Sequence, residues 1–157
     1  YHPLLNDSDV ENLCIERGTL NRAEREKINE HINVSIDMLN SLPFPKTLRR
    51  VPEYAGGHHE KMDGSGFPKG LKRHQMSVPA RIMAIADIFE ALTSADRPYK
   101  KPMKISQALG ILKDMRDRNH IDPDLFRVFL EGRVWQRYAQ ACLQEEQLDV
   151  DSIEPFL

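Results

Sequence analysis

The sequence predicts an all-α protein that forms a single domain. Apolar residues recur at helical spacing along most of the chain, and no segment shows the alternation that is typical of a half-buried strand. The chain has 157 residues, the size of one ordinary domain. With 40% hydrophobic and 29% charged residues, its composition is that of a globular protein rather than a disordered one.

The first helix is predicted to begin after Asn21, which forms a capping-box pattern with Glu24. Apolar residues follow at helical spacing as far as Pro43, so we expect one continuous helix here. His31 falls on or beside its apolar face. A shorter helix is predicted between residues 47 and 57.

The middle of the chain predicts an irregular loop and then a buried helix. Residues 61–78 hold three glycines and a proline, which favour turns over regular structure. The helix over 80–94 is apolar on nearly every side, so we expect it in the centre of the domain. Asp87 lies in the middle of this helix and is therefore expected to be a buried carboxylate.

Three further helices are predicted over 105–115, 123–130 and 134–143, with Gly132 separating the last two. The tail over 147–157 is acidic, and we expect it to be loosely ordered.

Charge and cysteine content narrow the class of protein. The 22 basic and 24 acidic residues give a net charge of −2, which argues against a protein that coats nucleic acid. No apolar run approaches the ~20 residues of a membrane helix. Cys14 and Cys142 lie far apart, and two free thiols in a reducing compartment are favoured over one long-range disulfide.

Four features suggest chemistry: the adjacent pair His58 and His59, the loop over 63–68, Asp87, and His31. Each also has an ordinary explanation, since a lone histidine is often a hydrogen-bonded core residue and Asp87 is compatible with an ion pair to Arg81. A buried carboxylate costs several kcal/mol unless it is paired or bound to a metal.

Taken together, three imidazoles and a carboxylate are ligands that suit Fe, Mn, Ni or Zn. Adjacent histidines are better suited to two neighbouring ions than to one. A pair of metals is the usual apparatus for phosphodiester hydrolysis.

The segment over 58–68 resembles the signature of the HD-GYP family. HHExxDGxGYP is typical of that family, and this chain has Phe67 where the tyrosine usually stands. Further segments agree with the family pattern: 17–20, 81–82, 86–87, 91–94, 97–100 and 120–125.

The resemblance implies an HD-superfamily helical bundle, a metal-dependent phosphohydrolase that cleaves the bacterial messenger cyclic di-GMP. Residues 11–131 would form this domain, 1–10 a leader from an upstream region, and 132–157 a C-terminal helix with the acidic tail. Family members are usually cytoplasmic output domains behind a sensor module of receiver or GAF type, and oligomers are compatible with this arrangement.

Residue roles follow from the same resemblance. Its metal ligands correspond to His31, His58, His59 and Asp87, with Fe or Mn the preferred metal and Ni or Zn the alternatives. Arg97 and Lys100 correspond to residues that meet the phosphate of cyclic di-GMP or a related nucleotide. Tyr99 and Phe67 are candidate walls for a guanine base, with ordinary packing an equal alternative.

The loop is expected to be ordered by hydrogen bonds and packing rather than by metal. Asp63 should cap local N–H groups, and at least one of Gly64 and Gly66 should have a positive φ. Its structural residues are Glu60, Asp63, Gly64, Gly66 and Pro68. Residues 66–68 are also a candidate contact for a partner domain.

The chain departs from the family in one respect. None of its six histidines is followed by aspartate, although a His-Asp dyad and a later lysine are typical of the family. Either the dyad lies upstream of Tyr1, or this is a degenerate member that has lost it. Three functions stay open: a cyclic-di-GMP phosphodiesterase completed by upstream residues, an inactive nucleotide- or partner-binding module, and a hydrolase of another phosphate ester.

Overall fold

The computed structural model describes residues 13–14, 21–94 and 102–157. These ranges contain no strand beyond an isolated bridge between Asp63 and Lys72, so the all-α prediction is confirmed. The helices are α1 (Arg22–Asn29), α2 (His31–Asn40), α3 (Val51–Gly56), α4 (Val78–Thr93), α5 (Ile105–Asp117), α6 (Pro123–Glu131) and α7 (Val134–Cys142). The predicted leader, residues 1–10, lies outside the described residues.

The N-terminal helix begins as the capping box predicts. The Asn21 side chain accepts from the Glu24 N–H, and the Asn21 N–H donates to the Glu24 carboxylate, both at 2.9 Å. The single expected helix is instead two, α1 and α2, interrupted at Glu30. His31 opens α2, and its Nδ1 caps the end of α1 at the carbonyl of Ile28.

The main core lies in the C-terminal half of the chain, where α4 to α7 meet. Its buried side chains are Ile85, Phe89, Ile105, Ala108, Leu109, Leu112, Ile121, Phe126, Leu130, Trp135 and Ala139. The expectation that α4 is buried on all sides is wrong. Ile82 is 49% and Met83 44% exposed, because α4 packs on α3, α5 and α6 through one side only.

The acidic tail is docked, which corrects the expectation of loose order. Val150, Ile153 and Phe156 pack against the main core. Lys113 Nζ donates to the Pro155 carbonyl at 2.6 Å, and Arg116 donates to the carbonyls of Phe156 and Leu157. Apolar side chains spaced between the acidic ones account for this docking.

A buried carboxylate ties the loop to two helices. Asp122 caps α6 by accepting from the N–H groups of Asp124 and Leu125, and it pairs with both Arg73 and Arg81. Arg81 is therefore the partner of Asp122 and not of Asp87. Burial opposes ionisation of Asp122, but the hydrogen bonds from Arg73, Leu125 and Arg81 outweigh it and lower its pKa.

Among the described helices, none combines the length and the apolarity that crossing a bilayer requires.

Candidate metal centre

Three of the histidines picked out from the sequence converge in space. His31 stands at the start of α2, and His58 and His59 lie in the turn that follows α3. One ligand atom from each lies within 4.8 Å of the others. His31 Nε2 and His59 Nε2 are 3.4 Å apart. Two nitrogens bound tetrahedrally to one ion at about 2.1 Å would be separated by roughly this distance.

Backbone hydrogen bonds hold two of these rings in the orientation that a metal requires. His31 Nδ1 donates to the Ile28 carbonyl, and His58 Nδ1 donates to the Ala55 carbonyl. Because Nδ1 carries the hydrogen in each ring, Nε2 keeps a free lone pair. This second hydrogen bond is typical of metal-binding histidines, and the donor set therefore fits a divalent transition metal.

The surroundings of His59 favour its neutral form, which is the form that binds metal. Burial lowers the pKa of His59, and the neighbouring His58 and His31 lower it further. Asp87 acts in the opposite direction. The Asp87 carboxylate is therefore close enough to interact electrostatically with His59.

Asp87 is exposed, so the expectation of a buried carboxylate is wrong. It lies on a face of α4 that the described part of the chain leaves open. Among the described residues, the geometric cluster of ligand atoms holds the three histidines and not Asp87. Asp87 does line the same pocket as His58 and His59, and its role as a ligand stays a proposal.

The loop after the histidines folds around a buried carboxylate. Glu60 is 1% exposed, and its two oxygens accept from the backbone N–H groups of Lys69 and Leu71, both at 2.8 Å. The Asp63 side chain accepts from the Ser65 N–H at 2.8 Å, as its expected capping role requires. Glu60 thereby closes the loop at its base, and Asp63 tightens its first turn.

Two glycines are required by the course of this loop. Gly64 has φ +87°, a conformation that residues with a Cβ rarely adopt, and this confirms the expected positive φ. A Cβ on Gly66 would lie 2.4 to 2.6 Å from backbone atoms of His59, Glu60 and Lys61. The loop therefore rests directly on the chain that carries the histidines.

Phe67 brings the loop back to the candidate metal-binding histidines. Its N–H donates to the His59 carbonyl at 3.3 Å, and its ring stacks on the His59 ring with centroids 4.7 Å apart and planes 16° apart. Pro68 follows through a cis peptide bond. Phe67 is half-buried, so it is neither a core residue nor a fully exposed contact. The partner-domain role of residues 66–68 stays a proposal.

A pocket of about 310 Å³ opens beside the histidines. Its lining residues are His58, His59, Lys61, Phe67, Asp87, Ile88, Ala91, Leu92 and His120. Lys61 and His120 are functional candidates that sequence reasoning missed. Lys61 directly follows the His-His-Glu triplet and His120 opens the later matching segment, but no local pattern says that the two meet. Arg97, Tyr99 and Lys100 lie outside the described residues.

The structure is thus a helical domain in which three converging histidines could hold a metal ion beside a pocket. The family model of the HD domain matches residues 8–125. The chain therefore belongs to the HD domain family, and its loop motif makes it a member of the HD-GYP type.

Curated relatives agree with this assignment. The chain is 36% identical over 135 residues to "3'3'-cGAMP-specific phosphodiesterase 1" of Vibrio cholerae, which covers 86% of this chain and 30% of that protein. It is 40% identical over 118 residues to "3'3'-cGAMP-specific phosphodiesterase 3" of the same organism, a match that covers 74% of this chain and 25% of that protein. It is 31% identical over 119 residues to "Cyclic di-GMP phosphodiesterase" of Thermotoga maritima, a match that covers 76% of this chain and 32% of that protein. The chain thus spans about a third or less of each of these relatives.

Proposed function

We propose that this chain is an HD-GYP-type phosphodiesterase module whose pocket takes a cyclic dinucleotide such as cyclic di-GMP or 3′3′-cGAMP. The observation that carries the proposal is the convergence of His31, His58 and His59, whose ligand atoms lie within 4.8 Å of one another, beside a pocket that His58 and His59 line. The names of the relatives supply the class of substrate.

Each candidate residue has a defined task in this proposal. His31, His58 and His59 hold a divalent transition metal, with Asp87 as a further ligand. Fe or Mn is the preferred ion, with Ni or Zn as alternatives. When bound, such a metal supplies charge neutralisation at the phosphate and a water of lowered pKa.

The substrate-binding tasks fall to the aromatic and cationic residues of the site. Phe67 offers its ring as a wall for a guanine base. Arg97 and Lys100 would bind phosphate, and Tyr99 would form a second aromatic wall. Glu60, Asp63, Gly64, Gly66 and Pro68 hold the loop that carries Phe67.

A second candidate function is a module that binds the nucleotide without cleaving it. It is favoured by the lack of a His-Asp dipeptide anywhere in the 157 residues. A carboxylate that bridges two metals is then missing from the chain, and four ligands are suited to one ion rather than to a tight pair. We therefore expect the isolated chain to hydrolyse cyclic di-GMP slowly or not at all.

The test is to load the purified chain with Mn or Fe and to measure binding and hydrolysis of cyclic di-GMP and 3′3′-cGAMP in parallel. Binding that His59→Ala abolishes supports the proposed site. Turnover near about 1 s⁻¹, which is within the ordinary enzyme range, would show that the missing dyad is not needed. Absence of binding for both nucleotides would exclude both candidate functions and favour another phosphate ester.

We also propose that the chain works in the cytoplasm as the output part of a longer signalling protein with a sensor module of receiver or GAF type upstream. In support, the chain matches only about a third or less of each curated relative. Comparing nucleotide turnover by the full-length protein with and without its upstream region tests this proposal. Equal turnover would contradict it.

A further inference from the structure

The wall of the pocket formed by Lys61 and His120 has no assigned task. Lys61 follows the histidine turn, whereas His120 lies in the connection between α5 and α6. Both line the pocket that His58 and His59 also line. Nothing in the metal-binding arrangement explains why a cation and a fourth imidazole should stand there.

Backbone hydrogen bonds hold these two residues side by side. The Met62 N–H donates to the His120 carbonyl and the Asp63 N–H donates to the Asn119 carbonyl, both at 3.2 Å. The His120 N–H in turn donates to the Met115 carbonyl at 2.8 Å. These hydrogen bonds join the backbone of the segment after the histidines to the backbone of the α5–α6 connection, so both residues have fixed backbone positions beside the pocket.

The polar atoms of this wall are available to a ligand. Within the described ranges, neither the Lys61 ammonium nor the His120 ring makes a hydrogen bond or an ion pair, although His120 is half-buried. Burial and the nearby Lys61 charge lower the pKa of His120, so its imidazole tends to be neutral. The Asp63 carboxylate is the nearby opposing charge, and one of its oxygens is taken by Ser65.

We propose that Lys61 and His120 together bind the phosphate oxygens of the nucleotide that the metal-binding histidines do not reach. A lysine ammonium offers three donors and a full charge, and a neutral imidazole adds one N–H donor. Charge-assisted hydrogen bonds of this kind are stronger than neutral ones. Ile88, Ala91 and Leu92 line the same pocket with apolar side chains, and a phosphate held against them is partly desolvated, which strengthens these hydrogen bonds.

This inference rests on the proposed function, and its experiment separates the two. Binding of cyclic di-GMP to the Mn-loaded chain is measured by calorimetry for the unmodified protein, Lys61→Gln and His120→Gln. Lys72→Gln and His74→Gln are the matched controls, because both residues are exposed and lie outside the pocket. Bound Mn and the melting temperature are measured for every variant.

We expect Lys61→Gln and His120→Gln each to weaken binding by about 10-fold or more, with bound Mn unchanged, whereas the controls bind as the unmodified chain does. Lys61→Gln should also flatten the salt dependence of binding, since one cation fewer meets phosphate. If His120→Gln does not fold, the affinity and salt dependence of Lys61→Gln decide.

Unchanged affinity in Lys61→Gln overturns the inference and leaves the proposed function intact. Loss of Mn in parallel with loss of nucleotide also overturns it, because the residues would then belong to the metal site. Failure of the unmodified chain to bind the nucleotide contradicts the proposed function itself, and the inference fails with it.

Discussion

At the scale of single residues, the histidines are positioned by their own backbone. His31 and His58 each donate Nδ1 to a carbonyl three residues earlier, at Ile28 and Ala55. Such a contact depends on the helical turn alone and needs no distant partner. It orients Nε2 before a metal arrives, which reduces the ordering cost of binding.

We predict that the purified chain binds Fe or Mn at a single or partly occupied site, and that His58→Ala weakens this binding by at least about 10-fold. Elemental analysis and thermal shift on adding Mn are the measurements. His74→Ala is the control, since His74 is exposed and lies outside the cluster. A chain that holds no metal and shows no thermal shift with either ion would contradict the prediction.

A second residue-scale prediction concerns Asp122, which is fully buried and pairs with Arg73 and Arg81. Asp122→Ala should reduce the free energy of unfolding by about 3 kcal/mol, because it removes a helix cap and leaves Arg81 without its partner. Chemical denaturation measures this change. Asp151→Ala is the exposed control and should have little effect.

The same residue predicts a pH dependence. The pKa of Asp122 is lower in the folded protein than the ordinary value of about 3.9, so its contribution is complete above that value. It is lost as the pH falls through the lowered pKa. When the free energy of unfolding is measured against pH, it should therefore fall less steeply at acidic pH in Asp122→Ala than in the unmodified chain. An identical fall in the two proteins would argue against this role.

At the scale of elements, the loop over 61–77 is irregular but is held in place by its own hydrogen bonds and close contacts. Glu60 closes its base, Asp63 tightens its first turn, and Gly66 lets it lie on the histidine turn without a gap. The result is an irregular segment with fixed geometry. Phe67 reaches the His59 ring because of this path.

We predict that Gly64→Val lowers stability more than it lowers metal affinity. Valine is strained at φ +87°, and its Cβ would lie 3.0 Å from the Lys72 side chain. The nitrogens proposed to bind the metal do not belong to this turn. Melting temperature and Mn titration of the same samples are the measurements. Unchanged stability together with lost metal binding would instead make the loop part of the metal site.

At the scale of the whole molecule, the tail completes the fold. Gln147 is buried, and its amide donates to the carbonyls of Thr93 and Met103 at 3.0 and 2.8 Å. The Met103 N–H also donates to the Leu92 carbonyl at 3.1 Å. The tail therefore joins the end of α4 to the approach to α5, on either side of the segment that carries Arg97 and Lys100.

We predict that Gln147→Ala lowers the free energy of unfolding by about 2 kcal/mol, because the buried Thr93 carbonyl and the half-buried Met103 carbonyl lose their donor. Denaturant unfolding measures the effect. Gln140→Ala is the matched control, since Gln140 is exposed on α7. If both variants are equally stable, the tail rests on the core without supporting it.

Much of the fold was predictable because helices depend on local signals. The capping box at Asn21, the helix beginning near Pro79 and the three C-terminal helices all follow from periodicity and caps within a few residues. The loop motif and its positive-φ glycine were equally local. The break at Glu30 was not predictable from local signals. The Glu30 N–H still donates to the Glu26 carbonyl and the Glu30 carbonyl still accepts from Val34, so the helical hydrogen bonds continue on both sides of the break.

The sequence by itself determined the helical class and the loop, because each is encoded in the spacing of residues along one segment, and it singled out His31, His58 and His59 as candidate metal ligands. The tertiary structure alone decided that Asp87 is exposed, that Arg81 pairs with Asp122, and that Lys61 and His120 line one pocket. Those outcomes depend on which faces of distant helices pack together. That choice is a balance of burial over the whole chain, and no short pattern contains it.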